Sequence, residues 1–201
     1  MKWIAPLLAY LAVGLGMLYF HSAWGALLGF HATIIGSLLI AKPNIPISTL
    51  FKSKNIKCVL LSIMLCGSSG VSLHFLWDYF GFANNLAEQV KVLGLTSSNW
   101  PIFIAYFILI NPLLEEYFWR GYLGSKTKSL HKSDLVFAGY HAFILIDKVR
   151  IEAIIFGLCV LVLAGWFWRQ IAREDDGLLA PVLGHAAADI TILMAVYLMV
   201  T

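Results

Sequence analysis

Apolar runs about as long as a bilayer is thick recur along almost the whole chain, and nothing else in the sequence limits its fold so severely. In hydrocarbon every backbone N–H and C=O must be satisfied inside the protein, which makes such runs helices. Seven segments follow from the hydropathy and its breaks: Trp3–Phe20, Ala23–Ala41, Cys58–Trp77, Trp100–Leu123, Leu135–Ile146, Ile151–Trp168 and Leu178–Val200. The fifth is short for a full crossing and is expected either to extend into its polar flanks or to stop inside the bundle. The first follows a single Lys2 and carries no small-x-small cleavage site with a polar exit, so it reads as a retained span.

The balance of residue types agrees. Of the 201 residues 60% are apolar and only 12% are charged, whereas soluble domains carry about 25% charge. The chain therefore reads as all-α, a polytopic transmembrane helix bundle of about seven spans forming one membrane domain over residues 1–201. A net charge of +3 gives no nucleic-acid signal, and Cys58, Cys66 and Cys159 lack the spacing of a zinc knuckle or a disulfide framework. Lys2, Lys42, Lys52, Lys54, Lys57, Lys126, Lys128, Lys132, Arg169 and Arg173 fall on one side of the seven-span topology, against Lys91, Lys148 and Arg150 on the other. That bias puts the N-terminus in the cytoplasm of a multi-pass cell-membrane protein. The loop Asp78–Asn99 is long enough to lie along the outer face. The lipid bilayer is the partner this pattern requires; the oligomeric state has no signature in it.

Against this background Glu115, Glu116 and Arg120 are costly. A charged group at bilayer depth costs roughly 2.5–3.5 kcal/mol on insertion scales, so three within six residues need partners or a task. Glu116 and Arg120 stand at i and i+4, share a helix face and can pair, while Glu115 points about 100° away and is left for another role. Asn111-Pro112 lies one turn earlier and is expected to loosen the helix. His141 follows in the fifth segment, and His185 and Asp189 form a second i, i+4 pair in the seventh. The alanines at 186–188 leave room for a neighbouring helix or a substrate backbone.

Three polar clusters on three apolar segments point to a wet site between the C-terminal four helices. The residues alone allow three chemistries. A water deprotonated by Glu115 with help from an imidazole could hydrolyse an acyl bond. Glu115, His141, His185 and Asp189 could instead hold zinc, although HExxH is absent. A proton or ion relay would use the same groups.

The ordered set Glu115-Glu116-x-x-x-Arg120, Phe137-x-x-x-His141 and His185-x-x-x-Asp189 resembles the EExxxR, FxxxH and HxxxN/D motifs of the CPBP family, the CAAX-protease and bacteriocin-processing (Abi) membrane proteins. The lead-in from Glu174 to His185 also resembles that family's. The likeness covers about residues 100–195; residues 1–99 carry spans and loops without a recognised motif, and residues 100–201 are expected to be the catalytic core. It implies a glutamic-type intramembrane endopeptidase acting on a membrane-anchored protein or peptide, a C-terminal sorting tail or a prenylated tail. By resemblance Glu115 and His141 activate the water, His185 and Asp189 stabilise the oxyanion or the water, and Glu116 with Arg120 brace the site. No cofactor is expected on this reading, zinc being the alternative, and a non-catalytic immunity or scaffold protein is a further one. Asp189 departs from the Asn of prenyl-protein processing members. An ionised carboxylate cannot donate to an oxyanion, so Asp189 is expected either to be protonated in its apolar setting or, the preferred reading, to orient His185.

Overall fold

The computed structural model describes residues 2–201, and among them every regular element is helical. Helix α1 (Ile4–Gly14) runs into a π-helical turn, Leu15–Tyr19; α2 spans Ala23–Ala41, α3 Ile56–Phe75, α4 Trp77–Phe80 and α5 Leu86–Val92. Helix α6 (Trp100–Glu116) continues as a second π-helical turn, Tyr117–Tyr122, followed by α7 (Lys132–Gly139), α8 (His141–Leu145), α9 (Ile151–Asp175) and α10 (Leu179–Val200).

Five of these are long and apolar enough to cross a membrane: Ala23–Ala41, Ile56–Phe75, Trp100–Tyr122, Ile151–Asp175 and Leu179–Val200. Two of the seven expected spans differ. The first, Ile4–Tyr19, is shorter than a full crossing. The fifth is a pair of short helices that meet at Tyr140. Side chains interrupt the ladder there: the Tyr10 hydroxyl donates to the Val136 carbonyl at 2.6 Å, the acceptor an unbroken helix would offer to the Tyr140 N–H. One turn on, the His141 ring takes the Ala138 carbonyl at 3.2 Å. Side-chain insertion of this kind is a standard cause of a sharp helix break.

Helices α3 and α10 run side by side in the same direction through small residues. Gly67 faces Ala187, a methyl at Gly70 would collide with the Thr191 backbone, and one at Gly184 would collide with Ser62. The Gly70 N–H donates to Thr191 Oγ1 at 3.2 Å. Between helices in lipid, close backbone approach of this kind supplies the packing that hydrophobicity cannot. The alanine stretch 186–188 thus receives α3. Helix α6 lies antiparallel to α10, with Glu116 near His185 and Asn111 near Asp189. Helix α2 lies parallel to α6, with Trp24 against Phe103 and His31 against Asn111.

Helix α7 is fastened at its start. The His131 Nδ1 accepts the Ser133 N–H, and the Asp134 carboxylate accepts the His131 N–H, a reciprocal cap. Arg169 of α9, only 2% exposed, forks onto Asp134 at 2.7 and 2.8 Å. It also donates to the carbonyls of Thr127 and Ser129, fixing the loop before α7. Counted in the sequence as a loop cation, Arg169 is a buried anchor. At the opposite end, the turn between α4 and α5 meets the turn after α8 through the Ala83 N–H and the Lys148 carbonyl, and Gln89 of α5 donates to the Asp147 carbonyl, so the segment after α3 folds over that end of the bundle.

Candidate active site

Glu115 and Glu116 occupy the last two positions of α6. The helix continues through Pro112, and the loosening expected at Asn111-Pro112 lies further on, in the π-turn Tyr117–Tyr122. There the Leu123 N–H reaches back five residues to the Phe118 carbonyl at 2.8 Å. Such π-turns widen a helix by one residue and recur at functional sites. Both glutamates are shut away from solvent, Glu115 at 1% and Glu116 at 0% exposure.

Their partners are of different kinds. Glu116 Oε1 accepts from Arg120 Nη1 at 3.1 Å, the expected i, i+4 pair, and from His185 Nδ1 at 2.7 Å. Glu116 is therefore the side chain that holds His185 as well as the partner of Arg120. The Arg120 guanidinium lies 4.1 Å from the Phe137 ring centre and 5.0 Å from that of Trp168, so its charge is met by π-faces as well as by a carboxylate. Glu115 is not left free as its helical angle implied. Its Oε1 accepts from the Tyr140 hydroxyl at 2.7 Å and its Oε2 from Trp119 Nε1 at 2.9 Å. Two neutral donors fix the carboxylate, and each oxygen keeps a second lone pair.

His141 begins α8 just after the break. Its Nδ1 faces the Ala138 carbonyl, which can only accept, so the proton sits on Nδ1 and the Nε2 lone pair of the neutral ring is available as a base. The ring stacks on Tyr140 with centres 4.0 Å apart. Tyr140 consequently ties the two halves of the site together, its ring against His141 and its hydroxyl on Glu115. His185, 4% exposed, stacks on Trp168 at 4.7 Å. Its Nε2 stands 3.6 Å from Asp189 Oδ1, beyond hydrogen-bond length, while Asp189 Oδ2 accepts from Asn111 Nδ2 at 3.3 Å. Asp189 is thus anchored from α6 with Oδ1 facing His185, while the hydrogen bond that orients the His185 ring comes from Glu116 and not, as expected, from Asp189.

Glu115, Glu116, Arg120, His141, His185 and Asp189 come together in one side-chain network reached from α6, α8 and α10. Tyr140, Trp119, Asn111 and His31 of α2 were not read as site residues in the sequence. Aromatics in apolar segments carry no mark that separates a hydrogen-bond donor from a packing ring. The signal for Asn111 and His31 was their polarity within apolar runs.

Among the described residues no group of three or more His, Cys, Asp or Glu gathers as metal ligands. The Glu115 oxygens accept from Tyr140 and Trp119 and keep one lone pair each, and His185 Nδ1 is bonded to Glu116 while Nε2 is not.

Residues 97–191 match the family model described as type II CAAX prenyl endopeptidase, Rce1-like. No curated protein and no solved structure matched the chain.

Proposed function

We propose, from the match of residues 97–191 to the Rce1-like type II CAAX prenyl endopeptidase model and from the geometry of the site, that the chain is an intramembrane endopeptidase whose attacking water is activated by Glu115 and His141. The observation that carries the reading is the pairing through Tyr140: a buried, donor-fixed carboxylate and an imidazole with a free Nε2, tied together by one tyrosine. A water held by these two groups gives up its proton to them as it attacks the scissile carbonyl, general-base help that contributes about 10²–10⁴-fold. His141 then returns a proton to the leaving amine.

The negative charge of the tetrahedral intermediate falls to His185. Lying between the carboxylates of Glu116 and Asp189, this ring holds a proton on each nitrogen before the water attacks, and it hydrogen-bonds the oxyanion through Nε2–H without giving that proton up. Asp189 acts through His185 in this scheme, so an Asp in place of an Asn is compatible with catalysis. Glu116 and Arg120 hold the frame.

The substrate is a membrane-anchored protein or peptide cleaved near the membrane surface, a C-terminal sorting tail or a prenylated tail, and the enzyme sits in the cell membrane with its N-terminus in the cytoplasm. The glutamates lie near the far end of Trp100–Tyr122 and His185 near the start of α10, so the site belongs to the half of the bundle that the Lys/Arg bias makes cytoplasmic. The test is to reconstitute the protein in liposomes and offer peptides with free and prenylated CAAX ends alongside candidate sorting tails, with and without a chelator. Cleavage that survives the chelator and disappears in His141→Ala is expected. Cleavage lost with the chelator and restored by zinc would replace the Glu/His water mechanism with the metal one.

A further inference from the structure

We infer that His31, on α2 and outside the stretch matched by the family model, is a positioning residue of this site: through Asn111 it fixes the orientation of Asp189. The inference rests on the proposed role of Asp189 in catalysis. His31 is 2% exposed and both its ring nitrogens face α6, Nδ1 the Tyr106 hydroxyl at 3.1 Å and Nε2 the Asn111 Oδ1 at 3.1 Å. Asn111, also 2% exposed, turns its amide Nδ2 to Asp189 Oδ2 at 3.3 Å.

The directions of these bonds follow from one another. A buried amide can turn either end towards a neighbour, and only its partners decide which. With its oxygen towards Asp189, Asn111 would set a carbonyl against a carboxylate; with its NH₂ there, it donates. The oxygen then faces α2 and needs a donor, which is the Nε2–H of His31. A neutral imidazole has one N–H, so Nδ1 is left as an acceptor and the Tyr106 hydroxyl supplies its proton. One chain of donation runs from Tyr106 to His31, Asn111 and Asp189, and Asp189 faces His185. A packing histidine would need a single partner; this one uses both nitrogens on one helix, two bonds from a residue aimed at the oxyanion ring.

The experiment has two arms on the full-length protein in nanodiscs. Nitrogen-15 NMR of histidine-labelled protein, with the His31 signal assigned by its loss in His31→Gln, should show a neutral ring protonated at Nε2. A ring protonated at Nδ1, or a cationic one, overturns the chain. In peptide cleavage His31→Leu should lower kcat by roughly 10–100-fold, the range usual for side chains that orient an active-site group through a hydrogen bond. KM should change by less than about twofold, because the lost interaction matters in the transition state. His31→Gln, whose amide N–H can stand in for Nε2–H, should recover most of that loss. A His31→Leu variant as active as wild type, or a His31→Gln variant as impaired as His31→Leu in an equally folded protein, overturns the inference. Should the wild-type protein cleave no peptide, the protease reading falls, and the NMR arm decides the donation chain by itself.

Discussion

Glu115 and Glu116 are neighbours in the chain but answer to different partners, and the difference sets what each substitution does. Glu116 balances Arg120, whose side chain is 2% exposed. Removing one member of a buried pair leaves an uncompensated charge and costs about 3–5 kcal/mol. Arg120→Leu should therefore destabilise the protein by that amount, measured as a fall in the midpoint of detergent or thermal unfolding. Glu115 is held by a hydroxyl and an indole, so Glu115→Gln keeps one acceptor and strands at most one neutral donor, a cost of about 1–3 kcal/mol. Of these contacts only the Glu116–Arg120 pair was legible in the sequence, because i, i+4 spacing on a helix is local geometry. The Tyr140 and Trp119 donors were hidden among aromatics whose default reading is packing. His31 and Asn111 lie 80 positions apart, and no local pattern brings them together.

At the level of elements, small side chains and caps decide where the catalytic groups stand. Helix α10 can bring His185 to Glu116 only if α3 approaches closely at Gly184, where Ser62 and Trp168 already fill the space. Gly184→Val should push α3 and α10 apart, reducing cleavage and lowering the unfolding midpoint together; an unchanged midpoint would contradict this packing. Helix α7 depends on the neutral form of His131. Burial, with the Arg169 charge as the next cause, holds its pKa below the ordinary 6.5. As pH falls below about 6.5 the unfolded chain takes up a proton that the folded cap excludes, so the cap's contribution, about 1 kcal/mol for a typical N-cap, is lost on acidification. Hydrogen-exchange protection in the first turn of α7 should drop between pH 7 and pH 5, and His131→Asn, which caps without titrating, should abolish that dependence. The sequence marked the fifth segment as too short to cross and left the break at Tyr140 unplaced. The cause is a hydroxyl contributed by Tyr10, on another helix.

Across the whole molecule the motif-bearing helices do not complete the site by themselves. Tyr10 of α1 sets the break that frees His141, His31 of α2 reaches Asn111, and α3 seats α10. The N-terminal spans carry no motif because what they supply is single side chains and close contacts, which leave no pattern along the sequence. The hydropathy blocks did locate the bundle, since bilayer thickness acts on every residue of a span.

The most direct test of the account is the rate at which Glu115→Gln, reconstituted and shown to unfold within a few degrees of wild type, cleaves a peptide that the wild-type protein hydrolyses. A fall of about 10²-fold or more, the size of a lost general base, is predicted. Cleavage by the folded variant at the wild-type rate would contradict the assignment of the attacking water to Glu115.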